Sequence, residues 1–481
     1  MRLSTATLGS ALPYDRSKVT PGIVHLGIGA FHRAHMAAYV DDLLARDPRW
    51  GIIGASLRRA DTREALAPQD FLYTLAMRDA SGTKVRVIGS LLDVLDANTQ
   101  RQQLIDTLAD PRIRIVSLTV TEKGYCHDPA SGTLDRKHPD IVHDLAHPDA
   151  PVSAPGLIVR GLELRRERGI APFAVMSCDN LPANGKTTGR IVAEFARLRS
   201  AELGDYIAAN VAFPSTMVDR IVPATTDADR EAVREATSLE DAWPVVTEPF
   251  SQWVIEDRFP QGRPAFETVG AQLVDDVGPF ELMKLRMLNG SHTTMAYLGY
   301  LGGYQYVSEA IADPGIRKLV HGLMTEEAMP TLPMDRAELG AYRDQLLKRF
   351  ANPALKHRTW QIAMDGSQKL PQRLLGTIRD RLAAGQPVNR LALGVAAWMR
   401  YVTGIDEAGS PIEVKDPLAA RLRAIADAAR RDAGRLAAGL LAVSEVFGTD
   451  LPANADFRET VTRHLGSLFA NGALATARAA A

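Results

Sequence analysis

The sequence predicts an α/β domain built on a mostly parallel sheet, followed by an α-helical domain. Three observations carry this. Short apolar runs alternate with amphipathic helical segments through the first half, two glycines close the first of those runs, and strand patterns nearly vanish after about residue 280. Residues 1–280 are therefore expected to form the sheet domain and 281–481 the helical one.

"GIVHLGIG" (22–29) reads as a buried strand ending in glycines, and "FHRAHMAAYVDDLLAR" (31–46) as the helix that follows. "WGIIGASL" (50–57) is a second short apolar run, and "IRIVSLTV" (113–120) and "FAVMSC" (173–178) repeat the pattern, with helical segments near 155–168 and 185–198. Strand, glycine turn, helix and strand predict a parallel sheet covered on both faces. "FLYTLAMRDASGTKVRVIG" (71–89) reads instead as an antiparallel pair around "DASG", inserted at a sheet edge. Beyond the boundary, "GIRKLVHGLMTEEAM", "DRAELGAYRDQLLKRF", "LALGVAAWMRYVTG" and "DPLAARLRAIADAARR" keep helical periodicity between prolines and glycines.

Composition excludes several functions. With 46% hydrophobic residues over 481 positions, the chain can fill two cores. Its 56 basic and 57 acidic residues leave a net charge of −1, so no general field draws nucleic acid or an anionic membrane. The two cysteines, Cys126 and Cys178, make neither a disulfide framework nor a Cys-rich metal site and fit a reducing cytoplasm. The N-terminal stretch has no sustained apolar core, so no secretory signal is expected. Nor does any run approach about 20 apolar residues, so no membrane-spanning helix is expected.

"HLGIGAFHRAH" places Gly27 and Gly29 at the end of the first strand, where helix amides can hold a pyrophosphate. Gly27, Gly29, Phe31, His32 and Arg33 are the candidate cofactor contacts, although His32 stands where G-x-G-x-x-G has its third glycine. The bland alternative is a tight turn with no ligand. An acidic residue after the second strand should bind the adenosine ribose, and Asp61 is the candidate, while Arg58 and Arg59 suit a 2′-phosphate. NAD is the expected cofactor, with NADP as the alternative. No metal is expected, because His32 and His35 have no matching carboxylate or cysteine pair nearby.

Ligands of open parallel sheets sit outside the carboxyl ends of the strands. Three polar clusters, "TEKGYC" (121–126), "DNLPANG" (179–185) and "STMVDRIVP" (215–223), follow predicted strands. Each has an ordinary reading, as a turn, a helix cap or a local Asp219–Arg220 ion pair. In the first segment past the boundary, "ELMKLRMLNGSHTTMAY" (281–297), a regular helix with about 100° per residue puts Leu285, Leu288, Met295 and Ala296 on one side. Arg286, Gly290, Thr293 and Thr294 then lie opposite. Lys284, Asn289 and His292 fall within about 140° on the apolar side, joined by Glu281. Polar groups facing a core need partners or must give up charge, so four together suggest a site.

These residues have a familiar pattern. "GIGAFHRAH", "SLTVTEKGYC", "VMSCDNLPANG", "FPSTMVDRIVP", "EPFSQWVIED" and "KLRMLNGSH" resemble the polyol-specific long-chain dehydrogenases, the family of mannitol 2-dehydrogenase and fructuronate reductase. The resemblance spans roughly residues 20–470. It implies a Rossmann-type N-terminal domain, a helical C-terminal domain, metal-free NAD(P) chemistry on a small sugar acid or a polyol/ketose, and a monomer. By position, Lys284 matches the family's catalytic lysine, Asn180 and Asn289 the pair that stabilises the substrate oxygen, and His292 a substrate-positioning histidine. Glu281 and Glu122 match acidic groups near the proton path, and Asp219 and Lys369 match positions that contact or orient substrate. The chemistry is consistent. A lysine titrating near about 10.4 serves as a base only once burial lowers it by a few units.

Substrate choice turns on 352–375, "NPALKHRTWQIAMDGSQKLPQRLL", which is more similar to the fructuronate reductase branch. The mannitol branch has an arginine where this chain has Gln361. A sugar acid brings a carboxylate, for which Arg358, Arg373 and Lys369 are the candidates. Each has surface charge as its ordinary reading. The expected activity is interconversion of D-fructuronate and D-mannonate, with a polyol dehydrogenase as the alternative and a non-catalytic NAD(H) or sugar-acid sensor as the reading from another class.

Overall fold

A computed structural model describes residues 1–9, 11–128 and 132–481. The chain forms two compact units, Met1–Gly278 and Pro279–Ala481.

In chain order the strands of the first unit are β1 (Pro21–Leu26), β2 (Gly51–Ser56), β3 (Tyr73–Asp79), β4 (Gly82–Ile88), β5 (Leu91–Asp96), β6 (Ile115–Leu118), β7 (Ala174–Ser177), β8 (Thr216–Asp219), β9 (Val245–Thr247), β10 (Gln252–Glu256) and β11 (Gln272–Val274). Five of them make one sheet in the order β5-β2-β1-β6-β7, all neighbours parallel. The chain leaves β1 towards one edge through β2 and β5, then returns to the other side of β1 through β6 and β7. This is the order of a Rossmann-type sheet, whose ligand crevice opens between the first strand and the one laid beside it on return. Helices Met36–Leu43, Ala154–Glu167 and Asn184–Arg199 turn apolar faces into cores that include residues of this sheet.

The structure corrects the sequence reading at several places. "LLDVLD" (91–96) is β5, a sheet strand that the apolar pattern missed because Asp93 interrupts it. The pair at 71–89 is antiparallel, but it is no edge insertion. With β9 parallel to β3 it makes a sheet of its own, β4-β3-β9. A further sheet, β11-β10-β8, takes up "STMVDRIVP", which therefore begins as a strand rather than following one of the parallel sheet. The helix expected over 31–46 breaks at His35 (φ −118°, ψ −97°) into Ala30–Ala34 and Met36–Leu43. The His35 ring packs against Phe31 and Trp253, and its Nε2 lies 3.0 Å from the Gln252 carbonyl oxygen, contacts that fix the kink.

The second unit is helical, with one continuous hydrophobic core. Its helix Gly290–Leu301 is buried on every side, so Gly290, Thr293 and Thr294 do not face water as a half-exposed helix would require. Helix Asn389–Tyr401 crosses it closely at Gly394, where a Cβ would stand 2.5 Å from Thr294 Oγ1.

Gly27 has φ +93°, and a Cβ there would lie 2.2 Å from the Thr119 carbonyl oxygen. Gly29 has φ −87° and open space where a Cβ would point. Gly27→Ala should therefore cost about 2–4 kcal/mol in a denaturant titration, and Gly29→Ala less than about 1 kcal/mol.

Candidate active site

The first unit gathers its site at the carboxyl ends of β1, β6 and β7. The close pass of Gly27 beneath Thr119 is locked by His25, whose Nδ1 is 2.8 Å from Ser117 Oγ and whose Nε2 is 2.8 Å from Thr119 Oγ1. Thr119 Oγ1 also donates to the Gly27 carbonyl at 2.7 Å. Asp179, just past β7, accepts from Val120 N (2.9 Å), Thr121 N (3.0 Å) and Tyr125 Oη (2.8 Å), which ties the ends of two strands together. Burial raises its carboxyl above the usual range in spite of these donors. Asn184 finishes the "DNLPANG" loop. Its Nδ2 donates to the Asp179 and Thr216 carbonyls, and its Oδ1 accepts from Thr216 N at 2.9 Å. That frame presents Asn180 and Glu122 at exposed positions, while Asp219 ends β8 and is buried.

The residues after the glycine turn divide. Gly29 caps the short helix Ala30–Ala34 with room beside its Cα for a close ligand, and Phe31 is half-buried against His35. His32 and Arg33, expected at the cofactor, turn into the core instead. The His32 ring stacks on His25 at 3.4 Å, and Arg33 donates to the Trp243 carbonyl. Asp61 opens helix Asp61–Leu66 and pairs with Arg59 at 2.9 Å, while Arg58 pairs with Asp140 at 2.7 Å. Backbone, rather than these two side chains, forms the cradle at the turn. It fits a dinucleotide pyrophosphate because Gly27 permits the turn and Gly29 permits the approach.

In the second unit, Lys284 begins a π-helical turn, Lys284–Asn289, set between Gly278–Met283 and Gly290–Leu301. In such a turn each N–H bonds five residues back, so Lys284 and Asn289 come round to the same side, nearer than a regular helix would bring them. Lys284 is 9% exposed, and Glu281 and Asn289 are half-buried. Arg286, expected on a polar face, is buried and points elsewhere, to the Thr331 carbonyl at 3.1 Å and Asp380 at 2.6 Å. One turn on, His292 stacks against Phe350 and meets His357 edge-on. Arg373 Nη1 donates to Thr293 Oγ1 at 3.1 Å, and Lys369 Nζ donates to the Ile362 carbonyl at 3.3 Å. Arg358 lies apart, exposed on its loop over the Tyr306 ring at 5.7 Å. Asp179, Asn184, Arg286, Arg349 and His357 escaped sequence reasoning, because their partners are distant in the chain.

The backbone cradle on a Rossmann-type sheet defines the architecture of a dinucleotide-dependent oxidoreductase. Comparison with known proteins agrees. Residues 21–268 match the family model of the mannitol dehydrogenase Rossmann domain, and 276–469 that of the mannitol dehydrogenase C-terminal domain. The D-mannonate oxidoreductase of Escherichia coli (strain K12) is 48% identical over 98% of this chain and 98% of its own. A mannitol 2-dehydrogenase of Aspergillus fumigatus is 42% identical over 98% and 96%. The solved Pseudomonas fluorescens mannitol 2-dehydrogenase, a ternary complex with NAD and D-mannitol, superposes with a TM-score of 0.88 at 43% identity, covering 100% of this chain and 99% of that one. The chain belongs to the mannitol dehydrogenase family, oxidoreductases that act on CH–OH groups.

Asn184→Ala removes both faces of a buried amide and should lower stability by about 2–4 kcal/mol, whereas Asn180→Ala, at an exposed site, should change it by less than about 1 kcal/mol. Thermal or denaturant unfolding of the two variants decides this.

A pH effect follows from the histidines. Burial lowers His25 to about 3, His357 and His464 to about 4, and His32, His292 and His321 in the same direction. The unfolded chain then binds more protons below its ordinary imidazole pKa of about 6.5, so these rings contribute stability above that pH and lose it as pH falls. Asp41, Asp179, Glu327 and Glu407, raised by burial, push the other way, four groups against six. Unfolding free energy should fall between pH 7 and pH 5, and a flat profile would refute the assignment.

Proposed function

We propose that this chain is an NAD-dependent reductase that interconverts D-fructuronate and D-mannonate, working as a cytoplasmic monomer. The observation that carries the reading is Lys284, an amine held 9% exposed at the start of a widened turn shared with Asn289. The sequence match to the mannonate enzyme supports the substrate, as does Gln361 at the position where the mannitol branch carries arginine. Two buried, unpaired thiols, Cys126 and Cys178, suit a reducing compartment.

The nicotinamide, when bound, supplies or accepts the hydride, and NADP is the alternative carrier. The protein does the rest. In the reducing direction the Lys284 ammonium gives its proton to the carbonyl oxygen as negative charge builds there. In the oxidising direction its neutral amine takes the hydroxyl proton. Asn289 and Asn180 offer carboxamide N–H donors to the developing alkoxide, a role worth about 3 kcal/mol for a well-placed donor. His292 positions the substrate, Glu281 and Glu122 pass the proton onward, and Asp219 and Lys369 orient the polyol chain. The glycine turn holds the pyrophosphate, with Phe31 beside it and Asp61 at the ribose.

NADH oxidation followed by absorbance tests this. D-fructuronate should be turned over with a kcat/KM at least about 100-fold above that of D-fructose, and the reverse order would overturn the substrate assignment. Lys284→Met should lower kcat by about 10²–10⁴ while NADH binding, read by fluorescence, is retained.

A further inference from the structure

Beside the glycine turn, the chain leaving β6 holds Thr121 in a backbone geometry that few residues tolerate. Its φ of +62° and ψ of 165° fall in a region that is essentially glycine's own. Among the described residues it is the one β-branched side chain with a positive φ. Such a conformation persists only where the surroundings impose it. The Asp179 carboxylate does so. Its Oδ2 accepts from Val120 N at 2.9 Å and its Oδ1 from Thr121 N at 3.0 Å, so two successive backbone N–H groups converge on one side chain. The carboxylate is fixed in turn by Tyr125, whose Oη donates to Oδ2 at 2.8 Å and lies 2.6 Å from Ser177 Oγ on β7. The Asp179 carbonyl accepts from Asn184 Nδ2 at 3.0 Å. An amide at position 179 would hold less, because its single oxygen cannot meet both N–H groups and its NH2 would face one of them.

The segment held in this way borders the ligand crevice. β6 lies parallel beside β1, and the crevice of such a sheet opens at the carboxyl ends of these two strands. A Cβ on Gly27 would stand 2.2 Å from the Thr119 carbonyl oxygen and 3.1 Å from Val120 Cγ1, so a shift of 119–121 is felt directly at the turn. Gly29 N hangs from the same turn, donating to the Gly27 carbonyl at 2.8 Å. We propose that Asp179 is a positioning residue for NAD, whose carboxylate holds Thr121 in its strained conformation and thereby keeps 119–121 seated against the glycine turn. The cradle then has its binding shape before the dinucleotide arrives, and affinity is not lost to ordering it. This role is the same whichever sugar acid or polyol the chain takes.

The test is NADH binding, titrated by fluorescence, together with thermal unfolding of the wild type, Asp179→Asn, Thr121→Gly and the double variant. Asp179→Asn should raise the Kd for NADH by about 10-fold or more. Glycine adopts the required geometry unaided, so adding Thr121→Gly should bring Kd back to within about 3-fold of the wild type. Thr121→Gly alone should raise Tm by about 2 °C, against glycine's ordinary tendency to lower it. A purely structural aspartate would give a lower Tm and a smaller folded fraction, with the folded molecules keeping the wild-type Kd, and that result would overturn the proposal. So would a double variant that binds no more tightly than Asp179→Asn, or a Thr121→Gly that lowers Tm. Should Asp179→Asn alone not fold, the double variant should fold and bind NADH, and its failure to do so would equally count against the proposal.

Discussion

The helical unit depends on one widened turn. In a regular helix Lys284 and Asn289 lie at the two ends of an arc of about 140°. Closing the turn across five residues narrows that divergence, at a cost in hydrogen-bond geometry that isolated helices seldom bear. Two contacts stabilise it here. Arg286, in mid-turn, is drawn to the opposite side by Asp380 and the Thr331 carbonyl. Gly290, at the exit, lets the Arg373 carbonyl approach to 2.8 Å of where a Cβ would be. Arg373 itself belongs to a second widened turn, Pro371–Leu375, which starts at a residue with no N–H to give to a tight helix. Each irregular turn is thus held partly by the other.

The sheet unit solves the matching problem with backbone. At the end of β1 the chain must pass under Thr119, and glycine alone allows it there. The carboxylate of Asp179 and the amide of Asn184 then staple three strand ends by their main-chain groups. Such a frame presents N–H groups at fixed positions without committing a charged side chain. This explains why Arg33, at the start of a helix where an anion is expected, is free to turn inward to Trp243.

How far all this was legible in the sequence follows from the range of the forces involved. Runs such as "GIVHL" and "IRIVS" announce strands because burial on both faces selects apolar residues one after another. β5 hid because Asp93, paired with Arg63 far along the chain, broke its run. Strands of three to five residues such as β8 to β11 are too short for alternation to show, and their partners are set by tertiary contact. In the site, chemistry was readable and placement was not. Lys284, Asn289 and His292 stood out as polar groups on an apolar stripe, but a fixed angle per residue cannot reveal a π-turn. His357 and Arg349 gave no signal at all, because only folding brings them to His292.

The two units therefore differ in how readily evolution can alter them. A cradle made of main-chain amides changes only when the fold does, so its ligand is as constant as the glycine turn. A pocket made of side chains on packed helices changes with a few substitutions on an unaltered frame. Relatives with the same two domains can then differ in the polyol or acid they take without any difference in backbone. Within this chain, the segment 349–373 packs against His292 through Phe350 and His357. It supplies Arg349, His357 and Arg373 to the surroundings of His292, whereas Lys284 and Asn289 come from 281–292, a segment whose geometry the widened turn has already fixed.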